Sequence, residues 1–156
     1  MVSLLSMIPI PDHTIIRCAT TLARYLENDR MTMVYFALNS LNQLIKTNPH
    51  IATSIGDIIE ILYKLISSDD RQVCINSLNL LVNLSTPENS KEIVQKLMQF
   101  LLSSPLSIRK LLCSMISMIA QKANDPAFYV ETIVELLFEE GDECEDSTWQ
   151  TAVSLI

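Results

Sequence analysis

Leu38-Asn39-Ser40-Leu41-Asn42-Gln43-Leu44-Ile45 returns as Ile75-Asn76-Ser77-Leu78-Asn79-Leu80-Leu81-Val82, a shift of 37 residues (77 − 40). A third copy, Ser114-Met115-Ile116-Ser117-Met118-Ile119, stands another 37 residues on. The same phase recurs at Thr151-Ala152-Val153-Ser154-Leu155-Ile156 and at Ser3-Leu4-Leu5-Ser6-Met7-Ile8. In each window a small hydroxyl residue is followed by apolar residues at the first, fourth and fifth positions after it. Apolar residues at that spacing share one face of an α-helix. A helix that recurs at a fixed period, with nothing strand-like between copies, is the mark of an α-solenoid.

The stretches between the windows complete the repeat. Asp12 stands ready to cap a helix in which Ile15, Ile16, Ala19, Leu22 and Leu26 recur at helical spacing, and Asn28-Asp29 turns the chain. The first full unit then runs as a helix from about Met31 to Lys46 and stops at Thr47-Asn48-Pro49. A second helix carries Ile51, Ile55, Ile58, Ile59, Leu62, Leu65 and Ile66, with Gly56 inside it at a cost of about 1 kcal/mol against Ala. Ser67-Ser68-Asp69-Asp70 turns and caps. The next pair breaks at Thr86-Pro87, with Ile93, Val94, Leu97, Met98 and Leu101 inward on its second helix. After Ser103-Ser104-Pro105 a helix runs to about Lys122. Asn124-Asp125-Pro126 then opens a helix whose buried stripe reads as Val130, Ile133, Val134 and Leu137.

The fold class is therefore all-α: a right-handed α-solenoid of antiparallel helix pairs. Its period is nearest to HEAT or armadillo units, which run to about 40–47 residues. Leu41, Leu44, Leu78, Leu81, Met115 and Met118 are the expected structural repeat core. Residues 1–156 read as a single solenoid segment whose two ends both fall within a helix of the repeat. The expectation is a piece of a longer trunk, with self-association through exposed helical ends as the competing possibility.

Composition agrees and excludes several classes. Of 156 residues 49% are apolar and 19% charged, which supplies a core and excludes a disordered chain. Two Gly are too few for a β-sandwich rich in tight turns. With 11 Lys or Arg against 18 Asp or Glu, the net charge of −7 lacks the basic footprint that nucleic acid or anionic lipid requires. The apolar opening at Met1–Ile8 has no basic lead-in and is cut short by Pro9 and Pro11, so it reads as part of the repeat. No apolar run reaches the roughly 18–20 residues of a membrane span.

No catalytic, cofactor or metal site is expected. His13 and His50 stand at helix starts without further ligands at fixed spacing. Cys74 and Cys113 lie within repeat helices as small core residues, and Cys18 completes a set with no Cys-x-x-Cys pair. Cys144 lies in the acidic run of residues 139–146, where neighbouring charge raises a thiol pKa. That run lacks the spacing of a Ca²⁺ loop and reads as a solvated turn. Asn39 and Asn76 share a phase, as do Asn42 and Asn79. Repeated Asn can grip an extended peptide, but Cys113 and Ile116 take those positions in the third copy. A generic armadillo or HEAT module that binds peptides, as in nuclear import or phosphatase scaffolds, is the alternative. It gains if the four Asn line one groove.

Residues 128–156 resemble a known family. Phe128-Tyr129 opens a helix that runs through Glu131 and Leu137, Gly141-Asp142 makes a turn, and Trp149 follows seven residues later. Val34-Tyr35-Phe36-Ala37-Leu38 through Lys46-Thr47-Asn48-Pro49, and Glu92 to Met98, resemble two further segments of the same family. This is the N-terminal trunk of adaptins, the large subunits of clathrin-adaptor and vesicle-coat complexes, nearest the alpha/gamma/delta/epsilon type. The resemblance covers about residues 28–156. It implies a cytoplasmic scaffold, peripherally associated with Golgi, endosome or coated-vesicle membranes. It would bind small, medium and second large coat subunits in vesicle-mediated protein transport. It implies neither enzyme activity nor a cofactor.

Overall fold

The structure is a computed structural model and describes residues 11–140. Gly141, Asp142, Cys144, Trp149 and the first and last repeat windows lie outside the described residues. Among the described residues there are seven α-helices and no strands. They are α1 (Asp12–Arg24), α2 (Met31–Thr47), α3 (Ile59–Ile66), α4 (Arg71–Leu84), α5 (Ser90–Ser103), α6 (Leu106–Gln121) and α7 (Pro126–Glu140). Short 3₁₀ segments at Tyr25–Glu27 and Pro49–Ile58 follow α1 and α2. The chain divides into two compact units, Met1–Leu84 and Ser85–Ile156.

In the first unit α2 packs against α1 and α4, and α4 packs in turn against α3. Val34, Ala37, Leu38, Leu41 and Ile45 form the inward stripe of α2. Helix α4 is flanked by α2 and α3 and buries more of its girth, including Cys74, Leu78, Leu81 and Leu84. Its first turn is capped by Asp70, whose Oδ1 accepts from the backbone N–H of Gln72 at 2.9 Å and of Val73 at 3.1 Å.

In the second unit α6 lies against both α5 and α7. Leu112, Ile116, Ile119 and Ala120 are its deepest residues. Asn124 takes a positive φ of 51°, which an Asn tolerates better than most residues, and turns the chain into α7. Asp125 then caps α7, its Oδ1 accepting from the backbone N–H of Phe128 at 3.2 Å.

Three local expectations are corrected. The helix expected from about Ile51 is 3₁₀ over Pro49–Ile58, is broken at Ile55 (φ −124°, ψ 21°), and becomes α-helical only at Ile59. Pro49, the β-branched Ile51 and Thr53, and Gly56 together deny the α-helix its nucleus. Asp12 does not cap α1: Pro11 holds that position, and the Asp12 carboxylate faces His50 at 3.0 Å. On α7 the buried stripe is Tyr129, Thr132, Ile133 and Leu136, while Val134 is exposed and Val130 and Leu137 are half-buried.

Candidate interaction surface

Of the six repeat-core residues, Leu41, Leu78 and Leu81 are wholly buried and Met115 is buried. Leu44 is half-buried, and Met118 is 50% exposed. Met118 is a correction with a geometric cause. Neighbouring residues on a helix point about 100° apart, so a buried arc that holds Ile119 and Ala120 can leave Met118 outside its edge. The α6 stripe centres on Leu112, Ile116 and Ile119, which turns Met118 away from it. Leu81 holds the same phase but stays buried, because α4 is covered by three elements, α2, α3 and the Pro49–Ile58 segment.

The Asn residues neither line one groove nor scatter. Asn39 is exposed and Asn79 half-buried. Asn42 is a cross-brace between α2 and α4. Its Nδ2 donates to the Asn76 backbone oxygen at 3.1 Å, and its Oδ1 accepts from Asn83 Nδ2 at 2.9 Å. Asn76 is buried; its Oδ1 accepts from Gln72 Nε2 at 3.4 Å, while its own Nδ2 and Ser77 Oγ have no hydrogen-bond partner among the described residues. An Asn so committed to a helix–helix seam is unavailable to an extended peptide. The brace was hidden from sequence because it links one Asn to a main-chain carbonyl 34 residues away.

In the second unit Lys91 Nζ on α5 meets Asp125 Oδ2 at 2.7 Å and lies 5.2 Å from the centre of the Phe128 ring. The hydrogen bond from Lys91, joined by backbone N–H donors, holds the Asp125 carboxyl below its usual range. Lys122 Nζ reaches the Ser85 backbone oxygen at 3.5 Å, and burial lowers its pKa. Inside, the Tyr129 hydroxyl stands 3.3 Å from Ser117 Oγ and accepts from Gln121 Nε2 at 3.4 Å. These contacts tie helices together.

The thiols are placed for packing. Cys74 and Cys113 are buried, and burial pushes the Cys74 pKa up, away from the thiolate that nucleophilic chemistry needs. Cys18 is exposed. His13 is exposed, and His50 contacts Asp12. Among the described residues no three His, Cys, Asp or Glu side chains gather as metal ligands. No helix among them is long and apolar enough to cross a membrane. Among the exposed residues are several large apolar side chains. In the first unit Met31, Met33, Tyr35 and Phe36 are 42–60% exposed at the start of α2. In the second, Val134 is 40% and Phe138 87% exposed on α7.

Helix packed on helix, polar groups spent on inter-helix ties, and apolar side chains left outward define a helical-repeat scaffold. The chain matches the adaptin N-terminal region over residues 1–156 and belongs to that family. Among its relatives is the AP-2 complex subunit alpha-1 of Arabidopsis thaliana, 25% identical over 146 residues that cover 90% of this chain and 14% of that protein. The AP-2 complex subunit alpha of Schizosaccharomyces pombe is 27% identical over 141 residues, covering 90% and 16%. The AP-2 complex subunit alpha-2 of Dictyostelium discoideum is 22% identical over 136 residues, covering 86% and 14%. The chain thus spans 14–16% of the length of these relatives. The crystal structure of an engineered protein shares the helical fold, with a TM-score of 0.62 at 21% identity over 93% of this chain and 66% of that one.

Proposed function

We propose that this chain is a scaffold segment of an adaptor-type coat large subunit, and that it holds other coat subunits during vesicle-mediated protein transport. The match to the adaptin N-terminal region along the whole chain carries this reading. The naming of its relatives as alpha subunits of AP-2 complexes supports it. The mechanism is mechanical. Stacked helix pairs hold outward side chains at fixed positions against small, medium and second large subunits, and membrane association is indirect, through the assembly. The residues of the chain contribute rigidity: the Asn42 brace in the first unit, and the Lys91–Asp125 tie in the second.

An affinity purification of the tagged chain from cytosol, with mass-spectrometric identification of what comes with it, tests this. Stoichiometric recovery of small, medium and second large coat subunits is expected. Recovery of a phosphatase or peptide-tailed cargo in their place sinks the coat reading and favours the generic peptide-binding module.

A further inference from the structure

The burial patterns of the second helices can be laid over one another. Ser90, Ile93, Val94 and Leu97 of α5 are buried, and Tyr129, Thr132, Ile133 and Leu136 of α7 match them one for one at a shift of 39 residues (129 − 90). Ile58, Leu62 and Ile66 match Ile93, Leu97 and Leu101 at a shift of 35 (93 − 58). In this register Val134 and Phe138 occupy the positions of Gln95 and Gln99 on α5, and of Glu60 and Lys64 on α3. All four of those side chains are polar and exposed. Val134 and Phe138 are therefore not core residues left uncovered. They are apolar side chains on a face that the other helices give to water, and Phe138 is 87% exposed.

Their flanks differ as well. On α5 the corresponding neighbours are Glu92 and Lys96, 3.9 Å apart as an ion pair. On α7 they are Glu131 and Glu135, both exposed and neither with a hydrogen bond or ion pair among the described residues. An aromatic anchor beside two unneutralised carboxylates, one helical turn apart, is complementary to cations flanking an apolar stripe.

We propose that the outward face of α7, centred on Val134 and Phe138, is a docking site for a partner helix that presents Lys or Arg beside an apolar stripe. Charge selects that occupant over the flanking residues 1–10 and 141–156, neither of which presents a Lys or Arg. Residues 141–156 contain four acids and no Lys or Arg, and residues 1–10 carry no charged side chain. This inference stands on the register and charge of α7 and does not depend on the coat reading.

The test uses the whole chain and a fluorescein-labelled synthetic helix of 16 residues, with leucines at helical spacing flanked by lysines. Anisotropy reads binding to wild type, to Phe138→Gln, to Glu131→Gln with Glu135→Gln, and to a control with the same charge loss elsewhere, Glu27→Gln with Asp29→Asn. The exposed substitutions leave the circular dichroism unchanged. Phe138→Gln is expected to weaken binding at least tenfold, and the α7 double variant about tenfold with a flatter salt dependence. The control changes binding less than twofold. Equal loss in the control means diffuse attraction and overturns the proposal, as does unchanged binding by Phe138→Gln or no binding at all. A photo-crosslinking residue at position 138 that couples to residues 141–156, or to a second copy, in preference to the peptide also overturns it.

Discussion

Leu81→Ala is the sharpest probe of how the first unit is held together. Leu81 has no exposed surface and sits on α4, the helix flanked by α2 and α3. The substitution removes three carbons from a closed core, about 2.4 kcal/mol at roughly 0.8 kcal/mol per buried carbon. The cavity left behind adds to this, at about 24 cal/mol per Å³ that does not collapse. The total is about 3–4 kcal/mol, a large part of the ~5–15 kcal/mol that holds a typical domain folded. Met118→Ala is the surface comparison in the second unit, whose transition it should leave almost unmoved, since Met118 is half in water and its loss should cost under about 1 kcal/mol. Urea titrations followed by circular dichroism at 222 nm read both. Leu81→Ala should shift the first unit's transition to markedly lower urea, with Met118→Ala close to wild type. Equal midpoints for the two variants would refute the assignment of Leu81 to the core and Met118 to the surface.

Leu81→Asp places a charge without a partner in the same position and should abolish the cooperative transition of the first unit, seen as loss of helical signal without denaturant. Asn42→Ala removes both bonds of the α2–α4 brace and should cost about 1–2 kcal/mol, with faster amide exchange in the two helices. Asp70→Ala strips the cap of α4 at a cost of about 1 kcal/mol, read in the same urea titration. Asp125 has a folded pKa below that of the unfolded chain, so its contribution is full above the unfolded carboxyl range and is lost as pH falls through the folded value. Asp125→Asn should therefore lower the second unit's melting temperature at neutral pH, and the difference from wild type should close under acid.

The inward phase of α2, α4 and α6 was legible because it depends on one period. Leu41, Leu78 and Met115 stand 37 residues apart and are all buried. The period alone does not give the width of the buried face, which neighbours decide. Leu81 is covered because α4 packs against α2, α3 and the Pro49–Ile58 segment, whereas α6 packs against α5 and α7 and leaves Met118 in water. On α7 hydrophobicity misplaced Val134, because an apolar side chain on an outward face reads in sequence like one facing in. Tyr129 and Thr132 line the core although both carry hydroxyls: Tyr129 meets Ser117, and Thr132 donates back to the Phe128 carbonyl at 2.8 Å. The capping role of Asp70 was legible from local chemistry. The Asn42 brace was not, since nothing nearby in sequence marks its partners.

We propose that the work of this scaffold segment is to hold other coat subunits. Co-expression with the small, medium and second large subunits of an adaptor complex, followed by size-exclusion chromatography with light scattering, tests it most directly. Co-elution at a fixed stoichiometry is expected, with a mass equal to the sum of the partners. Elution of the chain alone, well folded by circular dichroism and apart from all three subunits, would contradict it.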